Sequence, residues 1–467
     1  MSQPISRRQF LRHANCAAIS SLPILSTLLN LKLAGSLAAA PAPTDHRALV
    51  CLFLSGGADS YNILVPYGDA EHDEYTTARG GIALPKTSLL PLNLANTGGL
   101  KLGLHSALPG LNQLFTDGKA AAIANVGTLI EKVTKDDYNS DAPALRYPLN
   151  LYSHSDQIEQ WQTSMADRRS VKGWAGRAAD LLHSLNADQR VSMNISLSGS
   201  NIWQSGENTL EYAVSNDGAI GLSGYDPKND NSYDPVFYRT KAVDSQLGFQ
   251  YQHLLSQAFN TQKSSALDSF AHFNQATNAV TIPDGTFPGD NYLAAQFKMI
   301  AKAIASHDAI GQARQTFFIE YSGWDTHDGV IKHHADALPE VDAAIKAFYD
   351  YLASVGLENN VTLFTASDFG RTISTDNDGA DHAWGGNQFV IGGAVKGNKL
   401  YGTYPSLYVD NPLDVGRGRL IPQISVDEFF GELALWFGVP RSDLATVIPN
   451  IGNFYNVNST GTPLGFL

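Results

Sequence analysis

Three short apolar runs constrain this chain more than any other feature, because each ends in a turn and then in an acid. Ala48-Leu49-Val50-Cys51-Leu52-Phe53-Leu54 runs into Ser55-Gly56-Gly57 and Asp59. Thr316-Phe317-Phe318-Ile319 leads through Gly323-Trp324 to Asp325-Thr326-His327, and Val361-Thr362-Leu363-Phe364-Thr365-Ala366 stops at Ser367-Asp368-Phe369-Gly370-Arg371. Runs without polar alternation are buried on both faces, as strands are in a parallel sheet covered by helices. Between the second and third runs, Leu338, Val341, Ile345, Phe348, Tyr349 and Leu352 recur at helical spacing, which makes a strand, helix, strand crossover. The chain therefore reads as α/β, with a mostly parallel central sheet flanked by helices. Another helix is expected from Val426 to Phe437, where Ser425 and Glu428 have capping-box spacing and Gly438 follows the end. Shorter strands are expected over 120–126, 191–197 and 388–391.

In an open parallel sheet, ligands bind beyond the carboxyl ends of the strands. Asp59, Asp325 and Asp368 are thus expected in one crevice, where three carboxylates repel unless a cation sits between them. His327 and His382 supply imidazoles that zinc, manganese or iron accept beside carboxylate oxygens. Taken singly, each acid also fits a helix cap. Recurrence at one end of one sheet is what independent capping does not predict. Arg371 suits an anion held through two donors, although an ordinary ion pair would also use it. Asp376-Asn377-Asp378-Gly379-Ala380-Asp381 alternates oxygens like a calcium loop but lacks the spacing and terminal Glu of an EF-hand, so Asx turns compete with calcium there. Ser153-His154-Ser155-Asp156 sets hydroxyls beside an imidazole, yet neighbours on one strand face opposite ways and form no triad by themselves. No Walker loop, nucleophile elbow, complete dinucleotide fingerprint, HExxH or CxxC pair occurs.

Residues 1–40 read as a twin-arginine signal peptide: Ser6-Arg7-Arg8-Gln9-Phe10-Leu11, a modestly apolar stretch from Ala14 to Leu31, then small residues from Ser36 to Ala42. Asn15, Asn30 and Lys32 make that stretch too polar for a membrane span, and no later segment is long and apolar enough either. Export by the twin-arginine machinery implies a periplasmic or secreted location, and it moves folded proteins, so a metal can be loaded first. Removing Arg7, Arg8, Arg12 and Lys32 takes the formal charge from −13 to −17, which argues against nucleic acid as a partner. Cys16 leaves with the signal and Cys51 remains alone, so no internal disulfide can form. Residues 45–467 then make a single domain in which roughly 130–300 reads as an insertion or lid, its helical patterns alternating with turn-rich stretches such as Asn216-Asp217-Gly218.

Taken in order, Ser55-Gly56-Gly57-Ala58-Asp59-Ser60-Tyr61-Asn62 with Pro66, Tyr152-Ser153-His154-Ser155-Asp156-Gln157 with Trp161-Gln162, Gly323-Trp324-Asp325-Thr326-His327, Asp368-Phe369-Gly370-Arg371-Thr372 and Asp381-His382 resemble the motifs of the domain of unknown function 1501 family. The resemblance implies a distant branch of the alkaline phosphatase and sulfatase superfamily, with an alkaline phosphatase-like sheet between helices. It also implies one or two divalent metals, zinc or manganese, at the strand ends, and a hydroxyl that attacks a phosphate or sulfate ester. Asp325, His327 and His382 are the implied ligands of one metal, Asp59 and Asp368 of a second. Phe369 stands where alkaline phosphatases follow the later Asp with a His, which costs the second metal a ligand. The usual nucleophile has no counterpart at its usual place; Ser60 and Ser153 are the candidates, Ser153 preferred. Two functions follow: a metal-dependent hydrolase or transferase of an anionic ester, or a non-catalytic envelope binding or assembly protein that keeps the fold and at most one structural metal. A solute-binding protein fits less well, since two similar lobes are not apparent.

Overall fold

All three apolar runs form strands, and they lie side by side. The computed structural model describes residues 45–140, 146–375 and 377–467, so the expected signal at 1–40 lies outside the described residues. Its strands are β1 (Arg47–Ser55), β2 (Leu64–Pro66), β3 (Leu89–Leu92), β4 (Leu102–His105), β5 (Ala120–Gly127), β6 (Asn194–Ser196), β7 (Tyr212–Ser215), β8 (Gly218–Ala219), β9 (Arg314–Ser322), β10 (Val361–Ser367), β11 (Gly386–Ile391), β12 (Lys399–Tyr401) and β13 (Ile424–Ser425). The main sheet runs β12-β5-β11-β10-β1-β9-β6-β7-β8, with β13 also on β5, while β2, β4 and β3 make a small antiparallel sheet. β1 is parallel to both neighbours, Val50 pairing with Leu363 on one side and Phe317 on the other. The helix Val330–Ser354 carries the chain from β9 to β10, so the crossover passes the intervening β1. β11 is antiparallel to β10 and β5, which makes the sheet mixed but mostly parallel.

Burial explains the unbroken apolar character of β1. Ala48, Val50, Leu52 and Leu54 join a core with Leu338, Val341, Ile345 and Phe348 of the crossover helix and Phe297 and Ile300 of helix Tyr292–Ala305. On the other face Phe53 meets Phe318, and Trp203, Trp174 and Phe430 continue the aromatic layer at ring separations of 5.0–6.2 Å. Fully burying one such side chain contributes about 1.5–3 kcal/mol before entropy is counted. Cys51 is buried and free.

The helix Val426–Phe437 has the expected capping box of Ser425 and Glu428, and Gly438 ends it at φ +112°. The expected 191–197 strand is shorter, confined to β6. Residues 45–467 form one compact unit, and the stretch around 130–300 contributes to it: β6 pairs with β9, and the helix Tyr292–Ala305 lies in the core. Within that stretch the helix Pro235–Leu247 buries only Thr240, and Leu254–Asn278 buries residues only in its second half. Among the described residues no helix is long and apolar enough to cross a membrane.

Candidate metal centre

The carboxyl ends of β1, β9 and β10 meet in a tight set of loops. Gly56, at φ +123°, lies so close to the loop after β9 that a Cβ there would stand 2.4 Å from the Asp325 amide nitrogen, which is why the turn after β1 needs glycine. Asp325 and His327 leave β9 on this loop. His382 comes from a segment bridged to Arg371, just after β10. The fourth contributor is His154, first residue of the helix His154–Thr163, with Ser153 at its N-cap. The segment read as a strand is therefore a helix start.

Four donor atoms converge. His382 Nε2 lies 2.9 Å from His327 Nε2 and 3.1 Å from His154 Nε2. Asp325 Oδ1 lies 3.1 Å from His327 Nε2 and 3.5 Å from the Nε2 atoms of both His154 and His382. Ligands about 2.0–2.1 Å from a tetrahedral zinc stand about 3.3 Å apart, so His382 Nε2 and Asp325 Oδ1 have the spacing to share a small cation with either flanking imidazole, His154 or His327. Two sets of ligating atoms lie within 4.8 Å of one another, His154/Asp325/His382 and His327/Asp381/His382.

The outer nitrogens fix which way the lone pairs point. His382 Nδ1 donates to the Tyr152 carbonyl at 2.9 Å, and His154 Nδ1 donates to Asp368 Oδ2 at 2.7 Å. Each ring then turns its other nitrogen, with its lone pair, toward the common centre, where two lone pairs 3.1 Å apart repel unless a cation accepts both. Burial pushes the His382 imidazole below its ordinary range, against the pull of the Tyr152 carbonyl, and Arg371, His154 and His327 push it further down. Burial pushes Asp325 up, but the Arg371 hydrogen bond and charge outweigh it, and the net shift is downward. Asp381 likewise ends below its ordinary range: burial raises it, while the His382 amide, Arg417 and Arg419 lower it further. The side chains of Asp325 and His327 are about half exposed, at 49% and 47%, so the cluster opens to solvent on their side.

Asp368 supports this centre without joining it: Oδ1 accepts from the Gly56 amide at 2.9 Å while Oδ2 holds His154. Asp59 is elsewhere. Its Oδ2 forms a fully buried ion pair with Arg79, Oδ1 is buried without a hydrogen-bond partner, and Asp59 is in neither set of clustered ligating atoms. The pairing of Asp59 with Asp368 as a second metal's ligands thus gives way to separate partners for each. Phe369 is buried, its ring 4.8 Å from His154 and 4.7 Å from His382, so it walls the imidazoles where a ligand would otherwise stand. Arg371 is not open to a substrate anion. It is fully buried, donating to Gly57 O, Ala380 O, Gly56 O, Trp324 O and, at 2.5 Å, Asp325 Oδ1. Ser60 is buried too, its hydroxyl accepting from the Asn387 amide, which leaves it no access to a substrate. Ser153 stays beside the cluster and donates to Asp156 Oδ2 at 2.5 Å. Of the calcium-like loop, Asp376 lies outside the described residues, and Asp381 is taken by Arg417 and Arg419.

His154 and Asp381 were not among the expected ligands. A signal for His154 was available, since Ser153-x-x-Asp156 is a capping-type spacing that announces a helix start.

Fold and site together define an α/β protein with a histidine-rich candidate metal centre at the carboxyl edge of a mostly parallel sheet. Residues 229–420 match the profile of the family described as "Protein of unknown function (DUF1501)", the family whose motifs the sequence resembles. The motifs around Asp59 and His154 precede that span. No curated protein matches the sequence. Among solved structures, Ps i-CgsB in complex with k-i-k-neocarrahexaose is 9% identical over 85% of this chain and 73% of that one, with a TM-score of 0.32. Alkaline phosphatase from the Antarctic bacterium TAB5 is 11% identical over 75% of this chain and 92% of that one, with a TM-score of 0.21. Scores this low carry nothing about function.

Proposed function

We propose that this chain is an exported, metal-dependent hydrolase or transferase of an anionic ester, phosphate or sulfate, working in the periplasm. One observation carries the reading: the Nε2 atoms of His154 and His327 each lie 2.9–3.1 Å from His382 Nε2 and within 3.5 Å of Asp325 Oδ1, with two of the rings oriented from behind by Asp368 and a backbone carbonyl. Outer partners of this kind accompany nearly all histidine ligands of metals. His382 and Asp325, with His154 or His327, would hold the ion, and imidazoles beside a carboxylate favour zinc or manganese over calcium. A bound divalent cation supplies Lewis acidity toward an ester oxygen. The half-exposed side formed by Asp325 and His327 is where an ester would approach, and Ser153, hydrogen-bonded to the Asp156 carboxylate and next to His154 in the chain, would be the attacking hydroxyl.

A second reading, a non-catalytic envelope binding or assembly protein with one structural metal, is favoured by one feature. Ser153, the candidate nucleophile next to His154, already spends its hydroxyl proton on the Asp156 carboxylate. Elemental analysis of purified protein should give about one transition metal per chain under both readings. Chromogenic phosphate and sulfate esters, supplied with zinc, manganese and calcium in turn, separate them. Turnover lost in His382→Ala supports the enzyme; metal without turnover of either ester class supports the structural role, and protein free of metal after zinc loading sinks both.

A further inference from the structure

Tyr152 holds a backbone conformation that a bulky residue rarely takes. Its φ is +73°, in the left-handed region where a side chain crowds the backbone. Such strain persists only where neighbours hold it in place, and here they do so from several sides. The Tyr152 amide donates to Gln157 Oε1 at 3.0 Å, and the buried Gln157 is itself fixed by donating to Thr128 Oγ1 at 2.9 Å. The Tyr152 hydroxyl lies 3.3 Å from that of Tyr138, and the Arg419 guanidinium sits over the Tyr152 ring, 5.0 Å from its centre. What the strained backbone delivers is one carbonyl, which accepts from His382 Nδ1 at 2.9 Å. His382 belongs to both sets of clustered ligating atoms, so its aim matters to either.

Arg419 also grips the other side of that hydrogen bond. Its Nε donates to the His382 carbonyl at 3.0 Å, and its Nη2 to Asp381 Oδ2 at 3.4 Å. Its own backbone is fixed independently. The Val415 amide donates to the Arg419 carbonyl and the Gly385 amide to the Leu420 carbonyl, each at 3.0 Å. Buried Asp414 closes the intervening turn by accepting from the Gly416 and Gly418 amides at 2.7 and 2.8 Å. A planar guanidinium does here what an ammonium does not: its face lies on an aromatic ring while its in-plane N–H groups serve two acceptors. We infer, on the metal-binding reading of the centre, that Arg419 is a positioning residue: it clamps the Tyr152 carbonyl against His382 and so aims His382 Nε2 at the ion. Arg419 acts through these contacts and is not itself a ligand.

Titration of the metal-free protein with zinc and with cobalt(II) tests this, because the visible absorption of cobalt(II) reports ligand geometry. Arg419→Met keeps much of the bulk and loses the donors and the charge. Its zinc affinity is expected to fall about 10–100-fold, as for other outer partners of ligating histidines, with an altered cobalt spectrum. Arg419→Lys, which keeps a cation over the ring but not the fork, should fall between Arg419→Met and the wild type. Tyr152→Leu keeps the carbonyl and removes the face beneath the guanidinium, so its loss combined with that of Arg419→Met should be less than additive. Wild-type affinity and spectrum in Arg419→Met, whatever its stability in urea, overturn the positioning role and leave the metal centre standing. Additive losses overturn it too, since Arg419 would then act without Tyr152. A wild type that binds neither ion defeats the metal-binding reading itself, and the positioning role with it.

Discussion

Asp59 and Asp368 follow adjacent parallel strands and are both buried, yet they belong to different kinds of chemistry. Asp59 is closed off by Arg79, which also binds Asn62 and the Thr372 carbonyl and cannot leave without unpairing the whole region. Asp368 faces an imidazole whose other nitrogen points at His382 Nε2 and Asp325 Oδ1. Asp427, just past β13, makes a third case: it is buried with only Ser164 and Ser425 as side-chain partners, and burial raises its pKa to about 7. A strand-end carboxylate is thus satisfied by a fixed cation, by an imidazole that can face a metal, or by a proton. Only the second arrangement adjoins a cluster of other ligating atoms.

The largest effect should come from the imidazoles. His154→Ala or His382→Ala should remove the bound metal altogether, read by elemental analysis; retention of stoichiometric metal by either would dissolve the contrast between the two regions. Next, Asp59→Ala leaves Arg79 buried and unpaired, which costs about 3–5 kcal/mol in urea unfolding, while metal content per folded chain stays unchanged. Metal loss equal to that of His382→Ala would place Asp59 in the centre after all. Asp368→Asn should be milder, lowering metal affinity about 10–100-fold with little change in fold, as outer partners of ligating histidines do. The smallest signal concerns Asp427. A carboxyl whose pKa is raised in the folded state stabilises it below the unfolded pKa near 4, and that contribution is lost as pH rises through about 7. The melting temperature of wild type relative to Asp427→Asn should therefore fall by a few degrees between about pH 4 and pH 8. A constant difference would mean that Asp427 stays ionised when buried.

The fold was legible where the physics is local. Residues 48–54, 316–319 and 361–366 are apolar on both faces because helices cover both sides of the sheet, and Ser425 with Glu428 announces its helix through hydrogen bonds three residues apart. The antiparallel direction of β11 was not legible, since a short buried strand looks the same either way round. Asp325, His327 and His382 could be nominated as a group because each lies just beyond a strand end or in a family motif. Arg79 could not: nothing in a helix at 69–79 says that its last side chain will reach Asp59. The same holds for Arg371, whose five acceptors come from loops that converge only in three dimensions.

His154 and His382, which face each other across the centre, are 228 residues apart in the chain. A ribosome releasing this polypeptide would have to finish His382 and its bridge to Arg371 before the last imidazole could swing into place, so no early fragment possesses a chelating grip. Fragments that stop before His382 should therefore retain no ion at this centre, whereas chains that extend past it carry every ligating side chain the centre would need.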